Sequence, residues 1–305
     1  SAGRDYGCAD RRGSGRAPRH AGMTAALTVT TALNQIVTAL RAAGVDGGRR
    51  EARTLLGIAL AAEPLVLLTD PERQLTTSET GALQVVLDRR LAGEPPSRIR
   101  GSREFWNLDF AIAPGVLDPR PETELLVDGL LKIFRDKKIS ILDIGTGSGC
   151  IIVSLLINLR QSIGIGIDIS KKAIITAKKN VVRYKLNNRI KLLHNSFENI
   201  FDKKFDLIVS NPPYIERNAI KNLSEDIKKY EPRMALDGGN DGLDLIKKVI
   251  YKSKDILKIN GMLALEIGNE QIKKVSKILT ENNFRAGHVI KDYKNNVRCV
   301  LAYYR

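Results

Sequence analysis

Lysine is absent from the first 131 residues of this chain, which carry sixteen Arg; residues 132–305 carry twenty-four Lys and nine Arg. Isoleucine shifts at the same place, from four residues before the seam to twenty-seven after it. A helical segment that merely prefers Ala and Arg does not explain a total lack of Lys. The contrast reads as two genomic base compositions, a chimera joined near residue 131, whether by natural fusion, engineering or faulty assembly. Cysteine and histidine are scarce as well. Cys8, Cys150, Cys299, His20, His194 and His288 are dispersed without metal-ligand spacing, which argues against a zinc site or a disulfide scaffold. No metal is expected. The few thiols suit a reducing cytoplasm, the expected location. No apolar run reaches the ~18 residues of a spanning helix. Aromatic residues make up 5% of the chain and do not interleave with its basic residues as a nucleic-acid stacking surface requires.

The formal net charge of +15 lies wholly after the seam, because the first 131 residues balance sixteen acids against sixteen Arg. Such a surplus attracts acidic or RNA-bearing partners. Pairs such as Lys171-Lys172 and Lys178-Lys179 read equally well as solvated helix faces. Length suggests two domains. Residues 1–22 lack apolar periodicity and read as a disordered tail or cloning remnant, with Met23 a candidate start. Residues 23–94 read as a helical substrate-recognition domain. Thr30 or Thr31 caps a segment ending near Gly44, Asp46 leads into a second, and Ser78 opens a third ending near Gly93. Residues 95–131 read as a linker with a β-hairpin. Residues 132–305 alternate strand and helix, as a doubly wound, mainly parallel α/β sheet does.

Two motifs carry chemistry. The apolar run Phe205–Ser210 ends in Asn211-Pro212-Pro213-Tyr214. Two prolines stiffen this turn and remove N–H donors, leaving the Asn211 amide oxygen and the Pro212 carbonyl as fixed acceptors beside an aromatic ring. That arrangement grips a planar –NH2 group and points to amino-group methylation. Upstream, a strand ending in Asp143 enters the loop Gly145-Thr146-Gly147-Ser148-Gly149, and an apolar helix follows. Strand, Gly-rich loop and helix open a Rossmann-like nucleotide site. Asp143 suits a cationic ligand better than a pyrophosphate. Asp168 ends the next strand, where a ribose diol is expected. Together the two acids indicate S-adenosylmethionine (SAM), with Asp143 near its amino-acid moiety and Asp168 on the ribose hydroxyls. Residues 216–241 form a charged insertion after the Asn-Pro-Pro-Tyr turn, and Gly238, Gly239 and Gly242 are candidate hinges. Cys150 reads as a packing residue and His194 as a plain strand end.

From about Thr30 to Arg305 the chain resembles the N5-glutamine methyltransferases of peptide chain release factors. Carrying the resemblance are Gly101-Ser-Arg-Glu-Phe-Trp106, Asp118-Pro-Arg120-Pro-Glu122-Thr-Glu124, the Gly loop, Ser210-Asn-Pro-Pro-Tyr-Ile215, Tyr230 to Gly239, Leu265-Glu-Ile-Gly268 and Asn296-Val-Arg298. The Pro-Arg-Pro-Glu-Thr-Glu segment is the most specific of these. The resemblance implies a Rossmann-like class I SAM-dependent methyltransferase domain behind a small helical bundle. It implies a release factor as protein substrate, methylated on the Gln of a Gly-Gly-Gln loop. Asn211, Pro212 and Tyr214 are then the catalytic residues, with Tyr214 stacked on the amide. Gly145, Thr146, Gly147, Gly149, Ile169, Asn195, Ser196 and Phe197 join Asp143, Asp168 and Asn211 around the cofactor. Arg120, Glu122 and Pro213 join Asn211, Pro212 and Tyr214 around the substrate. Three positions depart from the family pattern: Asp118 replaces an Ile, Arg98 replaces an aromatic, and Asn195 stands where an Asp near the adenine is common. Arg120 is the expected partner of Asp118. The rival class is a nucleic-acid amino methyltransferase acting on adenine N6, cytosine N4 or guanine N2, and the third reading is a non-catalytic binding protein.

Overall fold

The computed structural model describes residues 27–62, 69–200 and 203–305, so the expected tail 1–22 and Met23 lie outside the described residues. The chain divides into two compact units between Val85 and Val86.

In the first unit, α1 (Val29–Ala42) begins two residues earlier than expected. Thr28 is its N-cap, and a reciprocal capping box with Thr31 satisfies donors that the first turn leaves open. Its apolar stripe Val29, Ala32, Ile36 and Leu40 is buried, as are Ala52, Leu55 and Leu56 of α2 (Gly48–Leu60). Helix α3 (Thr77–Leu91), which runs across the boundary at Val85–Val86, starts where Glu79 accepts from the Thr76 backbone N–H and pairs with Arg73 at 3.0 Å.

The second unit holds the sheet. After the short α4 (Pro96–Arg100), the expected hairpin forms from β1 (Ser102–Phe105) and β2 (Leu108–Ala111), turning through Trp106 and Asn107 at positive φ. Helix α5 (Pro121–Phe134) follows inside the segment expected to be a linker. Its signals are ordinary ones: Pro121 at the first turn and Glu122 and Glu124 beside the positive helix end. The compositional seam at residue 131 therefore falls within a helix of the second unit, not between domains.

Among the described residues, seven strands make the main sheet: β3 (Ser140–Ile144), β4 (Ile163–Asp168), β5 (Ile190–His194), β6 (Phe205–Ser210), β7 (Leu257–Glu266), β8 (Phe284–Lys291) and β9 (Val297–Tyr304). Their order is β5-β4-β3-β6-β7-β9-β8, with β9 antiparallel to its neighbours. The apolar runs that looked like strands in the sequence are these strands. Helices α5, α6 (Cys150–Asn158) and α7 (Lys171–Arg183) supply one buried apolar cluster with one face of the sheet. Helices α9 (Asp244–Ile256) and α10 (Ile272–Glu281) supply the other. This is the doubly wound α/β fold expected. Parallel strands β3, β4 and β6 all end toward one edge, and the strand order reverses between β3 and β6, where such sheets bind ligands.

Residues 216–241 are more structured than a loop, with α8 (Glu225–Tyr230) flanked by two 3₁₀ turns and Ile215 bridged to Asp237. Two of the expected hinge glycines serve close packing instead. A Cβ at Gly238 would come within 2.8 Å of the Pro213 carbonyl, and one at Gly242 would collide with the Tyr214 carbonyl.

Candidate active site

The Gly loop runs from β3 to the start of α6. Gly145 and Gly147 have φ near +70° and +57°, and a Cβ at Gly145 would meet nothing within 4 Å, while one at Gly147 would meet only the Gly145 carbonyl at 3.9 Å. No side chain therefore stands between this backbone and the cavity it borders, a space of ≈ 1100 Å³ including its open mouth. Gly149 serves differently, capping α6 and lying against Ala177, away from the cavity lining. Asp168 borders the cavity, accepting from the Gly147 N–H at 2.9 Å and the Ser170 N–H at 2.8 Å. Each oxygen keeps a lone pair for a diol. Burial holds the Asp168 carboxyl above its ordinary range. Ile169 and Phe197 add apolar walls.

Besides Gly149, three residues expected at the cofactor are placed differently. Asp143 does not line the cavity. It is fully buried beneath the loop, where its Oδ2 accepts from Thr146 Oγ1 at 2.6 Å and its Oδ1 has no partner. It acts on a ligand only through Thr146, which does line the cavity. Ser196 also lies off the lining, its hydroxyl accepting from the Glu198 N–H and capping a 3₁₀ turn. Asn195 borders the cavity, but its Oδ1 already accepts from the Ser196 N–H and from Asn199 Nδ2, so both lone pairs are engaged. An adenine amino group gains little from that oxygen.

Burial pushes the Asp143 carboxyl up to about 7. The folded state therefore keeps a proton that the unfolded chain releases near pH ~3.9. Stability arising from that proton is fully present below pH ~3.9 and is lost as pH rises toward 7. Asp143→Asn, which cannot ionise, should gain on the parent over this window by up to roughly 4 kcal/mol and then level off. Melting both proteins at pH 4.5, 6 and 8 checks this; a constant difference across the three would refute it.

Asn211, Pro212 and Pro213 are shared by two neighbouring cavities. They border the first cavity and also a second one of ≈ 730 Å³, lined by Arg120, Glu122, Tyr214, Glu266 and Arg298 among others. Arg120 reaches both spaces. Asn211 Nδ2 donates to Thr123 Oγ1 at 3.0 Å, which turns the Asn211 oxygen away from Thr123. Thr123 donates in turn to Glu266 Oε2 at 2.6 Å, and the Tyr214 hydroxyl donates to Glu266 Oε1 at 3.2 Å. Burial, with Glu266 next, holds the Tyr214 hydroxyl well above the usual phenol range, so it remains protonated. Thr123 and Glu266 were not assigned a role from sequence. Their only sequence signal was an acid ending an apolar strand, in Leu265-Glu266-Ile267-Gly268, and a Thr between two acids.

Asp118 is buried, and its expected partner is wrong. Arg98, not Arg120, stands 2.7 Å from Asp118 Oδ1, in a close contact off the hydrogen-bond axis, while Ser97 Oγ donates to Oδ2 at 2.5 Å. Arg120 instead meets Glu231 at 2.9 Å, and Arg98 meets the same Glu231 at 2.8 Å. The two departures from the family pattern thus face each other. Burial pushes the Cys150 thiol up to about 12, so it stays a protonated packing group. His194 sits at an exposed strand end with Nε2 3.1 Å from the Ile169 carbonyl. Among the described residues no His/Cys/Asp/Glu cluster could hold a metal, and no helix is long and apolar enough to cross a membrane.

Comparison with known proteins fits this geometry. The profile of the PrmC N-terminal domain matches residues 31–101, and that of the Methyltransferase small domain matches residues 113–240. A release factor glutamine methyltransferase of Bradyrhizobium diazoefficiens is 40% identical over 227 residues, covering 73% of this chain and 76% of the relative. The chain belongs to the release factor glutamine methyltransferase family. Another member, from Agrobacterium fabrum, is 37% identical over 283 residues, 91% of this chain and 98% of its own length. That match necessarily includes sequence from both sides of residue 131, so each compositional half is family sequence. Among solved structures, a protein-(glutamine-N5) methyltransferase (release factor-specific) from Alicyclobacillus acidocaldarius is 23% identical, with a TM-score of 0.39 over 64% of this chain and 99% of that one.

Proposed function

We propose that this chain transfers a methyl group from SAM to the side-chain amide nitrogen of the Gln in the Gly-Gly-Gln loop of a peptide chain release factor, and so modulates translation termination. The observation that carries this reading is the shared turn. Asn211 and Pro212 border both the cavity beneath the Gly loop and the cavity beside it, so one turn can touch donor and acceptor at the place where the two spaces adjoin. Family membership narrows the acceptor to a glutamine amide.

The first cavity fits SAM: an open glycine backbone, the Asp168 carboxylate for the ribose hydroxyls, and apolar walls at Ile169 and Phe197. When bound, SAM supplies an electrophilic methyl on a sulfonium. The protein's part is to hold the amide nitrogen in line. A primary amide is a poor nucleophile, because its lone pair is delocalised into the carbonyl. Hydrogen bonds from its –NH2 to Asn211 Oδ1 and the Pro212 carbonyl orient the nitrogen and favour the positive charge that grows on it. Such alignment supplies roughly 7–11 kcal/mol of the barrier reduction. The departing N–H proton goes to water. Arg120 and Glu122, on the second cavity, are placed to meet the substrate backbone, and the helical unit serves in this reading as a docking module for the protein substrate. The composition seam, as a junction of two sources, joins corresponding parts of one family.

Radiolabelled SAM offered with a release factor, and separately with total RNA and DNA, tests the proposal. Label should enter the release factor and vanish when Gly-Gly-Gln becomes Gly-Gly-Ala; label on nucleic acid alone would transfer the case to a base amino methyltransferase. SAM at ~100 times its Kd should also stabilise the fold by about 2.7 kcal/mol, read as a rise in Tm. No rise would favour a non-catalytic protein.

A further inference from the structure

We propose that Thr123 and Glu266 are positioning residues that hold the Asn211 amide with its oxygen toward the acceptor, and that ionised Glu266 sets this orientation. The inference rests on the proposed role of Asn211 and adds what selects one of its two amide orientations.

A Thr hydroxyl has one hydrogen and two lone pairs. Thr123 spends its hydrogen on Glu266 Oε2 at 2.6 Å, so toward Asn211 it only accepts, and it takes the Nδ2 hydrogen at 3.0 Å. The amide is thereby turned with its oxygen free. Tyr214 donates to the other carboxylate oxygen at 3.2 Å, so both oxygens of Glu266 are acceptors of donated hydrogens, as an ionised carboxylate requires. Thr123 and Glu266 are each nearly inaccessible to bulk solvent, at 2% and 1% exposure, though each borders a cavity. If Glu266 takes up a proton and donates it to Thr123, the Thr123 hydrogen is released toward Asn211. The amide then gains by flipping, so that its oxygen accepts from Thr123 and its –NH2 faces the substrate –NH2. Two donors face each other, and the grip is lost.

The charged and titratable groups around Glu266 come from four places, one of them Cys150 at the start of α6. Glu122 is on α5 with Thr123, Tyr214 is in the Asn-Pro-Pro-Tyr turn, and Arg298 and Cys299 are on β9. Burial pushes the Glu266 carboxyl up to about 7, with Glu122 adding to the rise and Thr123, Tyr214 and Arg298 opposing it. Raising the pH through this range should therefore favour the working orientation, and turnover should rise with it.

Two readouts test the relay. The first needs no substrate: the side-chain ¹⁵N–H₂ resonance of Asn211, assigned by its loss in Asn211→Ser, should shift with pH through a midpoint near 7. That titration should disappear in Glu266→Gln and in Thr123→Val. An Asn211 resonance that ignores pH in the parent, or titrates identically in Thr123→Val, would overturn the relay. The second uses a release factor as acceptor. Thr123→Val should lower kcat roughly tenfold or more with KM for SAM unchanged, and Thr123→Ser should restore most of the rate. Glu266→Gln should be slow at every pH and lack the acid limb of the parent profile. A persistent acid limb in Glu266→Gln, or full activity in Thr123→Val, would also refute the proposal. A parent enzyme that never labels a release factor would instead defeat the proposed substrate, and the resonance experiment would still decide the relay.

Discussion

Asn211→Ala should lower methyl transfer by about 10²–10³-fold or more while SAM affinity stays within a few-fold of the parent. The asymmetry follows from the two roles proposed for Asn211. On the donor side Asn211 is one contributor among the Gly loop, Asp168, Ile169 and Phe197. In the proposed reaction its oxygen is one of two acceptors for the reacting nitrogen, the other being the Pro212 carbonyl, which no substitution of Asn211 removes. Removing an interaction made mainly in the transition state lowers kcat and kcat/KM together and leaves ground-state ligand binding almost unchanged. Single-turnover transfer to a release factor, alongside a SAM titration by calorimetry, measures both halves. Equal loss of transfer and SAM binding would show that Asn211 holds the donor and would remove it from the grip.

Arg98→Leu should destabilise the fold by about 3–5 kcal/mol, the usual effect of removing one member of a buried ion pair. The side chains of Arg98, Asp118 and Glu231 are all close to 5% exposed. Arg98 also donates to the Ala113 and Val116 carbonyls at 2.7 and 2.6 Å. Without it, Asp118 keeps only the Ser97 hydroxyl, and Glu231 keeps Arg120 and the Asp118 N–H. Burial already raises the Glu231 carboxyl above its ordinary range, so the loss falls on a group that is already poorly solvated. The double change Arg98→Phe with Asp118→Ile should recover most of the stability, because an apolar pair of suitable volume removes both charges together. Urea unfolding of the parent, Arg98→Phe, Asp118→Ile and their double gives the coupling by a double-mutant cycle. Additive effects would mean that the two residues do not act as a unit. The pair also matters to the seam. Arg98 and Asp118 lie before residue 131 and Glu231 lies after it, so the contact joins the two compositional halves in a matched way.

Much of the catalytic unit could be read without coordinates because its signals are local. Period, β-branched runs and Gly-loop chemistry located β3, β4 and β6, and the loop-to-helix turn at Gly145–Cys150 appears where expected. Helix α5 escaped because its opening, Pro121-Glu122-Thr123-Glu124, was read as a motif and not as Pro at a first turn followed by dipole-favoured acids. The close packing at Gly238 and Gly242 was hidden in the sequence for a different reason. A glycine that supplies freedom and one that admits a close backbone look identical in sequence, and only the 2.8 Å approach of a Cβ at Gly238 to the Pro213 carbonyl separates them.

What the sequence determined by itself was the chemistry of the turn: two prolines, an amide and an aromatic ring, stiffened by covalent geometry that needs no tertiary partner. It also determined the Gly loop and the acid at Asp168, whose strand-end and turn positions follow from short-range pattern. The tertiary structure decided everything that depends on contacts across long separations. It buried Asp143 beneath the loop, engaged Asn195 elsewhere, paired Asp118 with Arg98, and set Thr123 and Glu266 behind Asn211, 88 residues from the first of them. A side chain's type states which bonds it can make, and only the packing of β6, β7 and α5 against one another states which of those bonds it does make.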